Sequence, residues 1–302
     1  MHTPLIFDIK RYAINDGPGI RIVVFFKGCN LNCAWCHNPE SISGESELMY
    51  AQSKCIQCGT CVAACPENAI SLAPERIIID RQRCSICGRC AAVCPTKAIE
   101  ISGKPMTAGE LMDEIEKERI FFDQSGGGVT FSGGEPLLQH EFLIKLLSEC
   151  GRRGIHTAVD TAGLVNTSIL LEVARHTDLF LFDLKMMDSD KHREWTGVPN
   201  VKILDNLKIL AETGAKIVIR IPLISGVNDD AENLTRTARF ISELPGEKKI
   251  VHLLSYHNIA QTKYQKLGRS DDFRILEKPT KELLNQAKTI FRQSGIEVSI
   301  GG

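Results

Sequence analysis

Ile22–Cys36 reads IVVFFKGCNLNCAWC. Its first seven residues, Ile22–Gly28, are mostly apolar and rich in β-branched and aromatic side chains, the composition of a short buried strand. Cys29-x3-Cys33-x2-Cys36 follows at once, so three thiols leave the end of that strand on one loop. Three thiolates can hold three irons of a four-iron, four-sulfide cube and leave the fourth iron open. An open coordination position separates a reactive metal site from a structural one. The amine and carboxylate of an amino acid can chelate such an iron. The alternative, a three-thiolate zinc site, is disfavoured by the cysteines that come next.

The chain of 302 residues holds twelve cysteines, and eleven fall in three tight groups. Cys55-x2-Cys58-x2-Cys61-x3-Cys65-Pro66 is repeated as Cys84-x2-Cys87-x2-Cys90-x3-Cys94-Pro95, each cysteine 29 residues after its counterpart. Ala69-Ile70 repeats as Ala98-Ile99. A disulfide framework belongs to short secreted chains, and paired C-x2-C steps that bind zinc do not call for the third step and the C-x3-C-P ending. The double run resembles the bacterial two-cluster ferredoxins. That resemblance implies that the fourth cysteine of each run serves the other cluster: Cys55, Cys58, Cys61 and Cys94 for one, and Cys84, Cys87, Cys90 and Cys65 for the other. The segment 55–100 is thus a compact insert, poor in apolar residues and held together by its clusters. Cys150 sits late in an apolar-periodic helix and reads as core.

Outside the insert, in 1–54 and 101–302, strand-like and helix-like segments alternate. Gly128–Ser132, His156–Asp160, Asp178–Asp183, Lys216–Pro222 and Ile250–Leu254 join Ile22–Gly28 as short apolar strands. Helical periodicity covers 107–119, 140–151, 168–176, 201–213, 230–243 and 280–294. Near-continuous apolar strands alternating with helices predict an α/β fold with a parallel sheet, here an open, incomplete (β/α)6 barrel carrying a ferredoxin-like insert. Chemistry is expected at the C-terminal ends of the strands. A net charge of −1 points to neither nucleic acid nor an anionic membrane. No apolar run approaches the ~18 residues of a membrane span. Met1-His2-Thr3-Pro4-Leu5 has no basic region followed by an apolar core, so a cytoplasmic location is expected.

The three-cysteine loop, with Trp35 before its last cysteine, resembles the radical S-adenosylmethionine (SAM) superfamily signature. A second element, Ser125-Gly126-Gly127-Gly128-Val129-Thr130-Phe131-Ser132-Gly133-Gly134-Glu135-Pro136, ends the second strand in a glycine-rich turn. Asn15-Asp16-Gly17-Pro18-Gly19-Ile20-Arg21 and Cys36-His37-Asn38-Pro39-Glu40 narrow the likeness. So do Asp160-Thr161-Ala162-Gly163, Asp183-Leu184-Lys185, Arg220-Ile221-Pro222 and Leu253-Leu254-Ser255-Tyr256-His257. Across essentially the whole chain the sequence is similar to the glycyl radical enzyme activating enzymes, the family of the pyruvate formate-lyase activase.

The resemblance implies three 4Fe–4S clusters, SAM, and reductive cleavage of SAM to methionine and a 5′-deoxyadenosyl radical. That radical takes a hydrogen atom from a backbone glycine of a partner, a glycyl radical enzyme. It also implies roles. Gly133, Gly134 and Glu135 receive the SAM amino group, and Lys185 pairs with its carboxylate. Asp183 and His257 contact its methionine or ribose part. Trp35 and His37 lie against the adenosine half. Asp160 and Thr161 match positions that hold a monovalent cation, and Asp16 one that meets the partner's glycine loop. Ala162 and Ser255 replace an asparagine and a proline of the family pattern, which touches substrate detail and removes no charged ligand. Arg220, on an apolar strand, also reads as a buried ion-pair partner. An insert of eight cysteines is implied to relay electrons from a ferredoxin or flavodoxin, with a structural or docking role as the alternative. Radical chemistry and clusters of this kind suit an anaerobic setting. The rival function is a radical SAM enzyme acting on a small molecule or peptide.

Overall fold

A computed structural model of the chain describes residues 3–301. Met1 and His2, which begin the stretch read for a secretion signal, and Gly302 lie outside the described residues. The strands are β1 (Leu5–Ala13), β2 (Arg21–Phe26), β3 (Glu47–Tyr50), β4 (Ile70–Leu72), β5 (Ile77–Ile79), β6 (Ile99–Ser102) and β7 (Lys104–Pro105), then β8 (Gly128–Gly133), β9 (His156–Thr161), β10 (Leu179–Asp183), β11 (Ile217–Leu223), β12 (Ile250–Ser255) and β13 (Glu297–Ile300). The helices are α1 (Thr60–Ala63), α2 (Arg89–Ala92), α3 (Ala108–Glu116), α4 (Arg119–Ser125), α5 (His140–Arg152) and α6 (Thr167–Ala174), then α7 (Ser189–Thr196), α8 (Val201–Glu212), α9 (Ala231–Ser242), α10 (Gln261–Leu267) and α11 (Lys281–Gln293).

One open sheet runs β13-β12-β11-β10-β9-β8-β2-β1-β7. The six expected strands form its parallel run, β2-β8-β9-β10-β11-β12, and β13 extends that run to seven. β1 and β7 add an antiparallel flank. Alternate residues of the central strands, Ile22, Val24, Phe26, Val129, Phe131, Phe180, Phe182, Ile219 and Leu253, turn to one side and share one core with the helices. Helix α5 buries Leu143, Leu146, Leu147 and Cys150, spaced to lie on one face, so Cys150 is a core residue as expected. Thr107 and Glu110 close a capping box that starts α3 where the sequence pattern starts it.

The insert leaves and rejoins the sheet through β3 and β6, which pair antiparallel from Glu47↔Ser102 to Tyr50↔Ile99. Its two cysteine runs form matching halves. Gly59 and Gly88 precede α1 and α2 with φ of 75° and 76°. The insert's own core is small, with Leu48, Ile70, Ile77 and Ile99 packed around Cys61 and Cys90. Its root is tied down by charge. Lys27, fully buried, donates to Glu47 at 2.9 Å, and Arg269 donates to the other Glu47 oxygen at 2.6 Å. Removing Glu47 would leave the Lys27 ammonium buried without its salt-bridge partner. Glu47→Ala is expected to cost about 3–5 kcal/mol, the usual penalty for breaking a buried pair. Thermal unfolding of the anaerobically purified protein should register this as a lower Tm, and an unchanged Tm would contradict it.

Candidate active site

The expected site residues lie at or just past the C-terminal ends of consecutive parallel strands: Cys29 after β2, Gly133 on β8, Asp160 and Thr161 on β9, Asp183 and Lys185 at β10, Arg220 on β11, and His257 after β12. Parallel register alone brings these separated segments to one edge.

The cysteine loop is held on three sides. Gly28 N–H and Cys29 N–H donate to the Ser41 and Ile42 carbonyls at 2.7 and 3.1 Å. Asn32 and Ala34 N–H donate to Thr196 and Trp195 carbonyls at the end of α7, at 2.8 and 2.9 Å. The Asn30 side-chain amide donates to the Leu164 carbonyl at 2.7 Å. Trp35 is buried against Met186, Ile224, Val227 and Tyr256. His37 stacks on His257 with ring centroids 4.1 Å apart, and His37 Nε2 donates to the His257 carbonyl at 3.0 Å. Burial, with the second imidazole beside it, pushes His37 down to about 4, so its ring is neutral near pH 7.

The glycine turn answers first to backbone packing. A Cβ on Gly134 would sit 2.2 Å from the Gly28 carbonyl oxygen, and one on Gly133 would sit 2.3 Å from the Phe26 backbone. Gly134 and Glu135 N–H donate across to the Phe26 and Gly28 carbonyls, both at 2.8 Å. These glycines therefore weld the end of β8 to the start of the cysteine loop. Glu135 is fully buried and accepts from Thr161 Oγ1 (2.7 Å), Ala162 N–H (2.9 Å) and Leu137 N–H (3.1 Å). Burial raises its carboxyl to about 7 against the pull of those donors. Glu135 and Thr161 thus brace two strand ends against each other.

Beyond them lies a network of buried charge. Lys185 donates to Asp183 at 2.9 Å. Burial alone would lower its ammonium pKa, but Asp183 and the nearby Cys33 raise it overall, so it is charged. Arg220 Nη1 lies 3.3 Å from Asp16 and 3.4 Å from Asp160, the ion pairing read from its apolar strand. Ser132 Oγ donates to Asp160 at 2.7 Å. Burial raises Asp160 to about 6, opposed by Arg220. Sequence reasoning did not connect Asp16 to Arg220, 204 residues apart, nor Glu40 to Lys263, paired at 2.6 Å. An acid next to a base on different segments carries no local signal. Among the described residues, Arg220 Nε, Asn30 Oδ1 and His257 Nδ1 are buried without a hydrogen-bond partner in the protein, as polar groups facing a ligand would be.

The insert forms two hollows. One is lined by Cys55, Cys58, Cys61 and Cys94; the other by Cys65, Cys84, Cys87 and Cys90. Each hollow thus takes three cysteines from one run and the last from the other. Backbone N–H groups of Gln57, Ala69 and Ala98 point at the sulfurs of Cys55, Cys65 and Cys94 at 3.2–3.4 Å, and Leu31 N–H at Cys29 at 3.4 Å. Such donors favour thiolate over thiol. Among the described residues, no three Cys, His, Asp or Glu side chains converge as a single metal ion requires. The donor set and the hollows fit cubane clusters. Burial pushes the Cys29 and Cys36 thiols up to about 12, so each yields its proton when metal replaces it.

Residues 81–238 match the family model described as the radical SAM superfamily, residues 54–98 a 4Fe–4S dicluster domain, and residues 15–72 a 4Fe–4S single cluster domain. The trans-4-hydroxy-L-proline dehydratase activating enzyme of Clostridioides difficile is 45% identical over 99% of this chain and 100% of its own. The chain belongs to the glycyl radical enzyme activating enzymes of the radical SAM superfamily. A second activating enzyme, that of choline trimethylamine-lyase from Oleidesulfovibrio alaskensis, is 40% identical over 87% of each chain. Among solved structures, a domain of a pyruvate-formate lyase-activating enzyme from Bacteroides vulgatus superposes with a TM-score of 0.51 at 42% identity. It covers 58% of this chain and 99% of that one. The activase therefore uses 4Fe–4S clusters and SAM to activate a glycyl radical enzyme, and the small-molecule alternative falls away. Among its described residues no helix is long and apolar enough to cross a membrane.

Arg220 is the cation shared by two carboxylates of this activase. Arg220→Met should reduce partner activation by about tenfold or more, because Asp16 and Asp160 lose the cation that holds both in place. Iron content should stay at the wild-type value, since Arg220 touches no cysteine. Loss of iron together with activity would assign Arg220 to the fold instead.

Proposed function

We propose that Cys29, Cys33 and Cys36 hold the SAM-binding cluster and that two further clusters fill the crossed hollows of the insert, three in all. When bound, the first cluster with SAM supplies a one-electron cleavage that yields the hydrogen-abstracting radical. The protein's part is to bind, orient and exclude water. Lys185, charged and nearly buried, suits the SAM carboxylate, with Asp183 holding the ammonium in place. Gly133, Gly134 and Glu135 bring backbone carbonyls and a braced turn to the SAM amino group. Trp35, His37 and His257 make an aromatic wall suited to the adenosine half. Asp160 and Thr161, with Ser132 and Arg220 around them, are the proposed seat of a monovalent cation. Asp16, held by Arg220 at the mouth of the strand edge, is proposed to meet the partner's glycine loop. The insert passes electrons from a low-potential ferredoxin or flavodoxin. The observation that carries the cluster assignment is the sorting of eight cysteines into two hollows, each closed by the last cysteine of the other run.

Two double variants test that sorting. Cys55→Ala/Cys94→Ala removes two ligands of one proposed cluster and should leave about eight irons per chain, while Cys84→Ala/Cys94→Ala touches both and should leave about four. Equal iron loss in the two would break the crossed assignment. The function is tested by anaerobic EPR with SAM, a low-potential reductant and the glycyl radical enzyme encoded beside the gene. A glycyl doublet on the partner, with 5′-deoxyadenosine formed, is expected, and Cys33→Ala should abolish both. If 5′-deoxyadenosine forms without a doublet, that partner is the wrong one.

A further inference from the structure

The two hollows of the insert are not equivalent in their distance from the cysteine loop at β2. Both runs hang from the β3–β6 pair, whose root is at Glu47↔Ser102 and whose far end is at Tyr50↔Ile99. The root is the end bound to the barrel: Glu47 holds Lys27 and Arg269, and Ser46 Oγ donates to the Gly103 carbonyl at 2.7 Å. Leu48, next to the root, lines the hollow of Cys65, Cys84, Cys87 and Cys90. Its cross-strand partner Ile101 comes within 3.8 Å of a Cβ built on Gly88, in the same hollow. The hollow of Cys55, Cys58, Cys61 and Cys94 is lined instead by Ile99, at the far end. Two residues along a strand is about 7 Å, a displacement away from the barrel.

Helix α10 fills the space between the nearer hollow and the cysteine loop. At one end Arg81, three residues before Cys84, donates to the Leu48 carbonyl at 2.9 Å and to the Lys266 carbonyl at 3.1 Å. On the same helix Lys263 binds Asn38 at 2.7 Å and Glu40 at 2.6 Å, just after Cys36. Tyr264, on the same helix, is buried.

We infer that the insert is ordered: the site of Cys65, Cys84, Cys87 and Cys90 is proximal and hands electrons across α10 to the Cys29–Cys36 loop. The site of Cys55, Cys58, Cys61 and Cys94 is distal and receives them from outside. One electron enters per transfer, and the external one-electron carrier of ferredoxin or flavodoxin class is oxidised by one electron. The ordering rests on the relay role proposed above, but the geometry that supports it is independent of that role.

The test compares Cys87→Ala, aimed at the proximal site, with Cys58→Ala, aimed at the distal one, in the full-length reconstituted activase. In the fully reduced protein, EPR reads the magnetic broadening that a neighbouring reduced cluster imposes on the SAM-binding cluster. Dipolar coupling falls with the cube of distance, so the broadening should be lost in Cys87→Ala and kept in Cys58→Ala. The reverse pattern, or broadening indifferent to both, overturns the order. If an alanine variant loses more than its own cluster's iron, Cys87→Ser and Cys58→Ser keep an oxygen ligand and shift the potential of one site only. The broadening should then follow the titration of the Cys87 site. Reduction by photoreduced flavodoxin is measured alongside. If the broadening pattern holds but flavodoxin reduces the SAM-binding cluster in both variants as fast as in the unaltered activase, the order stands and the relay reading fails.

Discussion

The site depends on how closely two strand ends approach. Gly134 packs with no side chain on the Gly28 carbonyl, and Glu135 N–H donates to that same oxygen. Any Cβ at position 134 would push the cysteine loop off the end of β2. With that contact made, Glu135 is buried at the junction, and its carboxylate reaches over to bind Thr161 and Ala162 at the end of β9. Three consecutive strands of the sheet are thereby joined at their C-terminal ends. The glycine-rich turn is accounted for by this packing before any ligand is considered.

Charge is arranged around that frame. Asp16, Asp160 and Asp183 face Arg220 and Lys185 in a region from which most water is excluded. Buried charges are tolerable when paired and hydrogen-bonded. Arg220 spans two carboxylates from segments far apart in sequence, so it couples the loop that precedes β2 to the ends of β9 and β11. Lys185 stays protonated because Asp183 outweighs its burial. The aromatic wall of His37, His257, Tyr256 and Trp35 borders this charged floor, a division suited to a ligand with a zwitterionic end and an aromatic end.

The insert is joined to the barrel by the same physics on a smaller scale. Its apolar core is too slight to anchor it, and the buried Lys27–Glu47–Arg269 group, with Arg81 reaching α10, supplies the attachment. The 29-residue repeat becomes two hollows with exchanged last cysteines because each C-x3-C-P turn crosses to the other half.

Local pattern was enough for much of this molecule. The six central strands are short, largely apolar segments rich in β-branched and aromatic residues, which composition alone reveals. The cysteine spacings carry their geometry in the chain itself, because C-x2-C and C-x3-C steps keep thiols on one short loop. What local pattern missed is equally specific. Leu5–Ala13 carries Asp8, Lys10 and Arg11 and shows no apolar run, yet it pairs with β2 as an antiparallel flank whose outer face is open to water. Ser189–Thr196 is almost wholly polar and still holds the cysteine loop through two backbone carbonyls, which no side-chain pattern can announce. The residue types and spacings in the chain settled which chemistry is present, because three cysteines of each group share one short loop. Only the folded sheet decided that Asp16 meets Arg220, that Glu135 braces Thr161, and that one hollow of the insert lies nearer the barrel than the other. Those contacts join residues whose separation along the chain says nothing of their separation in space.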